Sequence, residues 1–497
     1  MAAAGLLSRR GFLGGTAALT LAAPAIVRAK PFLVSQGASQ AAWRELERRM
    51  RGPVLFSGSD AYFKLYRPDN LRYANRFPAA IARCLDTQDV ATAITWAREN
   101  HIPLIARSGG HSYAGYSTIA NGLMIETKLM KAIQYDDSTG VVTVAGGALN
   151  GQIYSALARV GRTITHGRCS SVGAAGFLLG GGIGFNMRQY GIASDSLTRT
   201  TMVKADGKVL EMSASENPAE FWACRGGGGG NFGISTAFSV MTQPVPERIT
   251  VFSMQWNDPD EQTAAALMQA LSNGPDRLGT RVSIRAVNPK RAGARKGILI
   301  DLLGQLKGTT AEFLDIIKKV PRADLSDIRE APYWVGQKFL TEPPTPTYYQ
   351  ERSAFVDQAV PIKILQTGFK QFLNRWPGVS GTCDLRFFQT GQTVNALRPG
   401  ETAFAHRSSE WLMVIGLYWD EADNARPAVM NRAHAWQDDF YRAVRRYSDG
   451  GAYQNFVDPS LADWRQAYYA GNYDRLVKIK HKLDPNKVFD FPQAIWD

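Results

Sequence analysis

The apolar positions change rhythm along the chain, and the change divides it. A charged helical segment is predicted over 41–51, followed by an irregular stretch over 67–82 that contains Pro68 and Pro78. Val90, Ile94 and Ala97 then recur at helical spacing, with Thr87 as the expected N-cap and Asp89 in the first turn. Asn100 ends that helix, and 102–106 reads as a short buried strand that runs into the loop 107–111. This is a β-α-β rhythm delivering a glycine-rich turn after a strand. Strands are expected at 123–126 and 141–145, with Asp136, Asp137 and Gly140 as the turn between them, then a helix over about 150–160. The runs 197–205 and 209–212 flank Asp206-Gly207, a hairpin signal. Residues 238–240 are apolar again, and Pro244 and Pro246 mark a domain boundary.

From about residue 247 glycine thins out and longer strand and helix patterns alternate. Strands are expected at 298–303 and 411–419. Helices are expected at 310–320, with Phe313, Leu314, Ile316 and Ile317 on the apolar side, and at 428–447. Pro343, Pro344 and Pro346 fall in an exposed loop. The pattern predicts an α+β class, a mixed or antiparallel sheet with helices on one face.

Three glycine-dense stretches carry the chemistry. The first is Arg107-Ser108-Gly109-Gly110-His111-Ser112-Tyr113. The second runs from Gly167 to Gly184 and holds Arg168, Cys169, Val172, Gly173, Gly176 and the triple glycine Gly180, Gly181 and Gly182. The third is Gly226 to Gly230 with Asn231, Phe232 and Gly233. No GxGxxG opens a helix and no GxxxxGK[ST] occurs, so neither common nucleotide fingerprint is present. The first loop instead suits backbone N–H groups around a pyrophosphate, with Arg107 as a phosphate partner or a structural ion pair. A His at such a turn is commonly a hydrogen-bonding residue, and a lone Cys among small residues a buried hydrophobe.

Together these stretches resemble the flavin domain of the berberine-bridge-enzyme-like branch of the vanillyl-alcohol-oxidase family. The end of the chain adds matching pieces: Tyr453-Gln454-Asn455, Trp464, Tyr468-Tyr469, Asn472, Arg475-Leu476, Lys480, Asp484-Pro485 and Phe489. The resemblance covers nearly the whole chain after the leader and is densest at 76–240 and 452–495. It implies a two-part FAD-binding domain of the PCMH type over 30–246, with its core at about 76–246. A substrate domain with a mainly antiparallel sheet would follow over 247–450, and 451–497 would return to the flavin domain.

The resemblance also implies roles. FAD would be bonded twice, through His111 at C8α and Cys169 at C6. Arg107, Ser108, Gly109, Gly110, Ser112, Val172, Gly173, Gly176, Gly180, Gly181, Gly182, Gly229, Asn231, Gly233 and Asn455 would complete the cofactor site. Tyr453 would take the proton of an alcohol as hydride leaves its carbon, although a core tyrosine with a satisfied hydroxyl reads equally simply. Tyr113 would stack on a ring substrate, or merely pack. Where sugar-oxidising members carry an assisting Asp, the best register places Phe388, which puts that acid and a sugar substrate in doubt; Arg386 or Gln389 could stabilise a phenolate instead. Val172 leaves oxygen access open. The leading expectation is an oxidase acting on an alcohol or hemiacetal CH–OH group and making H₂O₂ from O₂. Its rivals are a dehydrogenase using a quinone or cytochrome, and a non-catalytic flavin- or ligand-binding protein.

Composition narrows the partners. The formal charge is +13, of which Arg9, Arg10 and Arg28 lie in the leader, leaving +10. No basic run interleaved with aromatics appears, which argues against nucleic acid. His166, His406 and His434 have no metal-ligand spacing, and none of the four cysteines forms a CxxC pair, so no metal is assigned. With Cys169 holding flavin, Cys84, Cys224 and Cys383 could form at most one disulfide. Ser8-Arg9-Arg10-Gly11-Phe12-Leu13, a short apolar region and Val27-Arg28-Ala29 resemble a twin-arginine signal over 1–29. That implies folded export by the twin-arginine machinery to the periplasm or beyond, with no membrane span. Oligomeric state is not legible.

Overall fold

The computed structural model describes residues 38–287, 295–374 and 379–497. The leader expected over 1–29 lies outside them. Three sheets organise the chain. The first has four strands in the order Val54–Phe56, Ala80–Arg83, Leu123–Glu126, Leu104–Arg107. Its last three are mutually parallel, as the β-α-β rhythm requires, and the helix Thr87–Glu99 buries Val90, Ile94 and Ala97 against them. The N-cap of that helix is Asp86, not Thr87: its carboxylate accepts from the Asp89 N–H at 3.0 Å. Asp89 is drawn elsewhere, accepting from the Arg51, Gly52 and Leu85 amides.

The second sheet has five antiparallel strands, Ile133–Asp136, Val141–Ala145, Ile234–Met241, Leu197–Val203 and Val209–Ser213 in that order. The Asp206-Gly207 hairpin forms as read, with Gly207 at φ +80°. The turn at Asp136 to Gly140 joins 141–145 to the strand Ile133–Asp136, not to Leu123–Glu126, which belongs to the first sheet. The sequence pattern missed Ile133–Asp136 because half of its residues face solvent.

The third sheet has seven antiparallel strands, in the order Leu325–Pro332, Arg248–Asn257, Ile298–Leu306, Leu278–Ala286, Cys383–Gln389, Trp411–Trp419, Tyr348–Val356. Alternation gives it two unlike faces. Val282, Ile284, Ile300, Leu302, Leu385, Phe387, Met413 and Ile415 share one core with residues of the helices Glu261–Ser272, Ile362–Asn374 and Pro427–Arg445. The opposite face carries Arg281, Ser283 and Arg285 beside Phe388, Arg386 and Asp384, with Glu351 and Ser353 two strands on. The helix expected at 310–320 is shorter, Thr310–Ile316, and its Thr309/Glu312 capping box fixes its start.

The last segment closes on the third glycine-dense stretch, Gly226 to Gly233. Lys480, fully buried, donates to Asp484 at 2.7 Å and to the carbonyls of Asn231 at 2.6 Å and Phe489 at 2.7 Å. Tyr469 Oη donates to the Gly227 carbonyl, and Gln454 Nε2 to that of Gly226. Among the described residues no helix is long and apolar enough to cross a membrane.

Candidate active site

Two loops that are far apart in sequence meet at one hydroxyl. Ser171 Oγ lies 2.8 Å from His111 Nε2 and 3.3 Å from Cys169 Sγ. On its other side the His111 ring meets Asp69 Oδ2, 3.3 Å from Nδ1. An ionised carboxylate only accepts, so Asp69 selects the tautomer with the proton on Nδ1 and leaves the Nε2 lone pair to Ser171. Asp69 is fixed in turn by backbone: its N–H donates to Gly110 O, and its carbonyl accepts from Thr347 N. Glycine makes the meeting possible. A Cβ at Gly173 would overlap Ser108 Oγ and the Gly109 nitrogen, and Gly110 holds φ +85°.

Tyr453 stands nearby in the returning tail. Its phenol oxygen accepts from Gly182 N at 2.9 Å and from Asn455 Nδ2 at 3.1 Å. Gly181 and Gly182, at φ +117° and +83°, turn the chain so that these amides face the phenol. Burial pushes the Tyr453 pKa up to about 12, and the N–H donors of Asn455, Gly182 and Ile183 only partly offset it. Among the described residues no cation touches it. Arg386 is engaged by Asp384, Glu351 and Tyr418, and Gln389 by Leu271 O and Thr280, so neither supports a phenolate as the sequence suggested. Arg386 is on the face of Phe388 but is taken up by its carboxylate partners, whereas Gln389 lies on the opposite face of the strand, against Leu271 and Thr280.

An aromatic wall leads from this phenol. Phe456 edges Tyr453 with centroids 5.0 Å apart and stacks on Tyr113 at 4.8 Å and 5°. Tyr349 meets Tyr113 edge-on at 5.1 Å. Phe388 shares a buried cluster with Tyr453 and lies 6.0 Å from Phe456. Beyond Phe388 the wall turns ionic, with Arg168, Arg281 and Glu342. Sequence reading found Tyr113 but not Phe456 or Asp69, whose loops carry no pattern, nor Tyr349, which lies near the start of the strand Tyr348–Val356.

Residues 78–213 match the model of an FAD binding domain, and 452–496 match the model described as berberine and berberine like. The glucooligosaccharide oxidase of Sarocladium strictum is 30% identical over 447 residues, covering 83% of this chain and 86% of that protein. The chain belongs to the berberine-bridge-enzyme-like FAD-linked oxidases. The xylooligosaccharide oxidase of Thermothelomyces thermophilus is 29% identical over 96% of this chain and 98% of its own length. Among solved structures, BBE-like 1 of Physcomitrella patens superposes with a TM-score of 0.81 at 25% identity, covering 91% of this chain and 98% of that one.

The residues present fit the FAD that a berberine-bridge-enzyme-like oxidase carries. A Cβ at Gly176 would meet nothing within 4 Å, and the Gly229 position faces the Gly176 Cα at 3.6 Å, so the two glycines border open space beside the Cys169 loop. His111 and Cys169 stand at one edge of that region, with Val172 and Ser112 in the same two loops. Several residues expected to touch cofactor are occupied otherwise. Arg107 is buried and donates to the carbonyls of Tyr66 and Arg67, and among the described residues no carboxylate pairs with it. It braces the loop that presents Asp69. Ser108 Oγ donates to Gly146 O. Asn231 anchors the tail, donating to Gly227 O and accepting from Ile495 N, and Gly233 packs without room for a Cβ against Val203 O. Asn455 serves Tyr453 and the Phe177 carbonyl, with Gly180 packed on its amide.

Gly173→Ala should force apart the loops of His111 and Cys169. The expected outcome is a folded protein purified with little flavin absorbance relative to wild type; full flavin content would contradict the contact described.

Proposed function

We propose that this protein oxidises a CH–OH group of a sugar or small aromatic alcohol, with FAD bonded to both His111 and Cys169 and with O₂ as electron acceptor. The observation that carries the double attachment is the convergence of His111 Nε2 and Cys169 Sγ on the Ser171 hydroxyl. One fused ring can span two groups that share a hydrogen-bonding partner. The names of the relatives, a glucooligosaccharide oxidase and a xylooligosaccharide oxidase, support the reaction class. When bound, FAD accepts the hydride from the carbinol carbon and returns the electrons to O₂ as H₂O₂.

The chain's own part is to bind, orient and move one proton. Tyr113, Phe456 and Tyr349 supply flat apolar surface against which a ring substrate is held. Tyr453 Oη takes the alcohol proton. A neutral phenol already has both lone pairs engaged by Gly182 N and Asn455 Nδ2; the phenolate has a third, which is where the substrate O–H would donate. These donors therefore favour the reactive form in an otherwise disfavouring, buried site. Loss of the assisting Asp to Phe388 leaves this N–H cradle as the support that the phenol has. Export by the leader at 8–13 completes the reading: a protein that must close around its cofactor suits a route for folded cargo.

Acid-denatured protein should stay yellow, and digestion should give one flavin-linked species joining the His111 and Cys169 peptides. Release of free FAD would remove the double attachment. With an oxidised substrate, peroxide should form in air at the rate of flavin turnover. Turnover only with an added dye or quinone would make the protein a dehydrogenase. Replacing Arg9 and Arg10 by Lys together should retain the protein in the cytoplasm; unchanged export would remove the twin-arginine reading.

A further inference from the structure

The cleft that holds Tyr113 has a charge imbalance at the end nearest Cys169. Glu342 accepts from two arginines on a single oxygen, Oε1: Arg168 Nη1 at 2.5 Å and Arg281 Nη1 at 2.6 Å. Each guanidinium carries five N–H donors and uses one of them on Glu342. Arg281 Nε has no partner although it is buried. The third arginine of the cleft, Arg386, lies against two carboxylates, Asp384 and Glu351, and the Tyr418 hydroxyl, so its own cluster is one charge negative, and it acts on Glu342 only at longer range. Taken by itself, the lobe formed by Arg168, Arg281 and Glu342 carries one more positive than negative charge.

The lobe is partly open to solvent. The Glu342 side chain keeps 41% of its exposure, against 16% for Arg168 and 19% for Arg281. It is also linked to the proposed base by a chain of ring contacts. Arg168 stands over the Phe388 ring with its Cζ 5.0 Å from the centroid, and Phe388 leads through Phe456 to Tyr453. Arg168 is the residue before Cys169, so this end of the cleft borders the proposed flavin edge. Burial depresses the Arg168 pKa to about 10 despite Glu342, and Arg281 and Arg386 push it the same way. A positive charge held there at such cost is relieved by a second anion.

We infer that the substrate carries a carboxylate, bound between the Arg168 and Arg281 guanidiniums while its CH–OH group faces Tyr453. The inference rests on the alcohol-oxidising reading of this cleft. Two adjacent guanidiniums offer parallel N–H pairs to a planar carboxylate, a geometry that neutral sugars do not exploit. A purely structural clamp, with both arginines merely fastening the 341–347 loop to the sheet, predicts something different. Under that reading, neutralising Glu342 weakens the region and gains nothing for an anion.

The test is equilibrium binding to the flavin-loaded enzyme without oxygen, read from the perturbation and bleaching of flavin absorbance. Two matched pairs serve as probes: glucuronate against glucose, and para-hydroxymethylbenzoate against benzyl alcohol. The acid should bind more tightly in at least one pair, by about 10- to 100-fold, the range of a hydrogen bond to a charged group. Arg281→Gln should erase that preference, Arg281→Lys should keep part of it, and Glu342→Gln should strengthen acid binding. Equal binding of acid and neutral partners in both pairs overturns the proposal. So does an acid preference that survives Arg281→Gln, or one that falls in Glu342→Gln. If Arg281→Gln does not retain flavin, the wild-type pairs and Arg281→Lys decide. Bleaching judges the oxidase reading separately. Acid preference without any bleaching leaves the anion site and removes the alcohol chemistry; bleaching by the neutral partners without preference does the reverse.

Discussion

The hydrogen bond from the Gly182 amide to the Tyr453 phenol joins residues 271 positions apart, and much of the molecule exists to make it. It needs a left-handed turn at Gly181 and Gly182, which only glycine adopts without strain. It needs Asn455 packed on Gly180, in a space that a Cβ would fill. It needs the tail to return, which the buried Lys480 secures by binding Asp484 and the carbonyl of Asn231. Removing one member of such a buried pair strands a charge and is expensive, so the tail is held in one register. The third sheet supplies the remaining wall, with the Ser353 hydroxyl accepting from the Tyr453 backbone amide at 3.0 Å.

Two opposed effects set the chemistry of that phenol. Desolvation disfavours the phenolate; N–H donors favour it. Desolvation wins in the protein alone, leaving a pKa of about 12. The cleft is charged only farther out, on the polar face of the sheet and at the Arg168 loop. This separation keeps cations off the phenol. Phe388 lies on the line between the two regions, and its apolar ring both covers Arg168 and contacts Phe456.

Much of this was legible in the residues. The strand Trp411–Trp419 is a continuous apolar run and formed with the bounds expected. Glycine density located all three loops, because close backbone contact leaves no other residue type possible at Gly109 and Gly173. What failed was partner assignment. Arg107 looks the same whether it holds a phosphate or two carbonyls, and only the position of the 66–67 loop distinguishes them. Asn231 and Gly233 read as cofactor residues because they adjoin the glycine block; their contacts with the tail and with Val203 had no signal in the sequence. Asp69, Ser171 and Phe456 became meaningful only when folding brought them beside His111, Cys169 and Tyr453.

The central claim is that the Tyr453 oxygen, in its N–H cradle, takes the substrate proton. The decisive measurement is the rate of flavin reduction by a saturating alcohol, without oxygen, as a function of pH in wild type and in Tyr453→Phe. Because the folded pKa lies above the ordinary value of about 10, the active phenolate is scarce at neutral pH, and the wild-type rate should climb steadily through the alkaline range. Tyr453→Phe should be about 10²- to 10⁴-fold slower and should lose that limb while retaining its flavin. A Tyr453→Phe enzyme that reduces flavin near the wild-type rate, with the alkaline rise intact, would contradict the account.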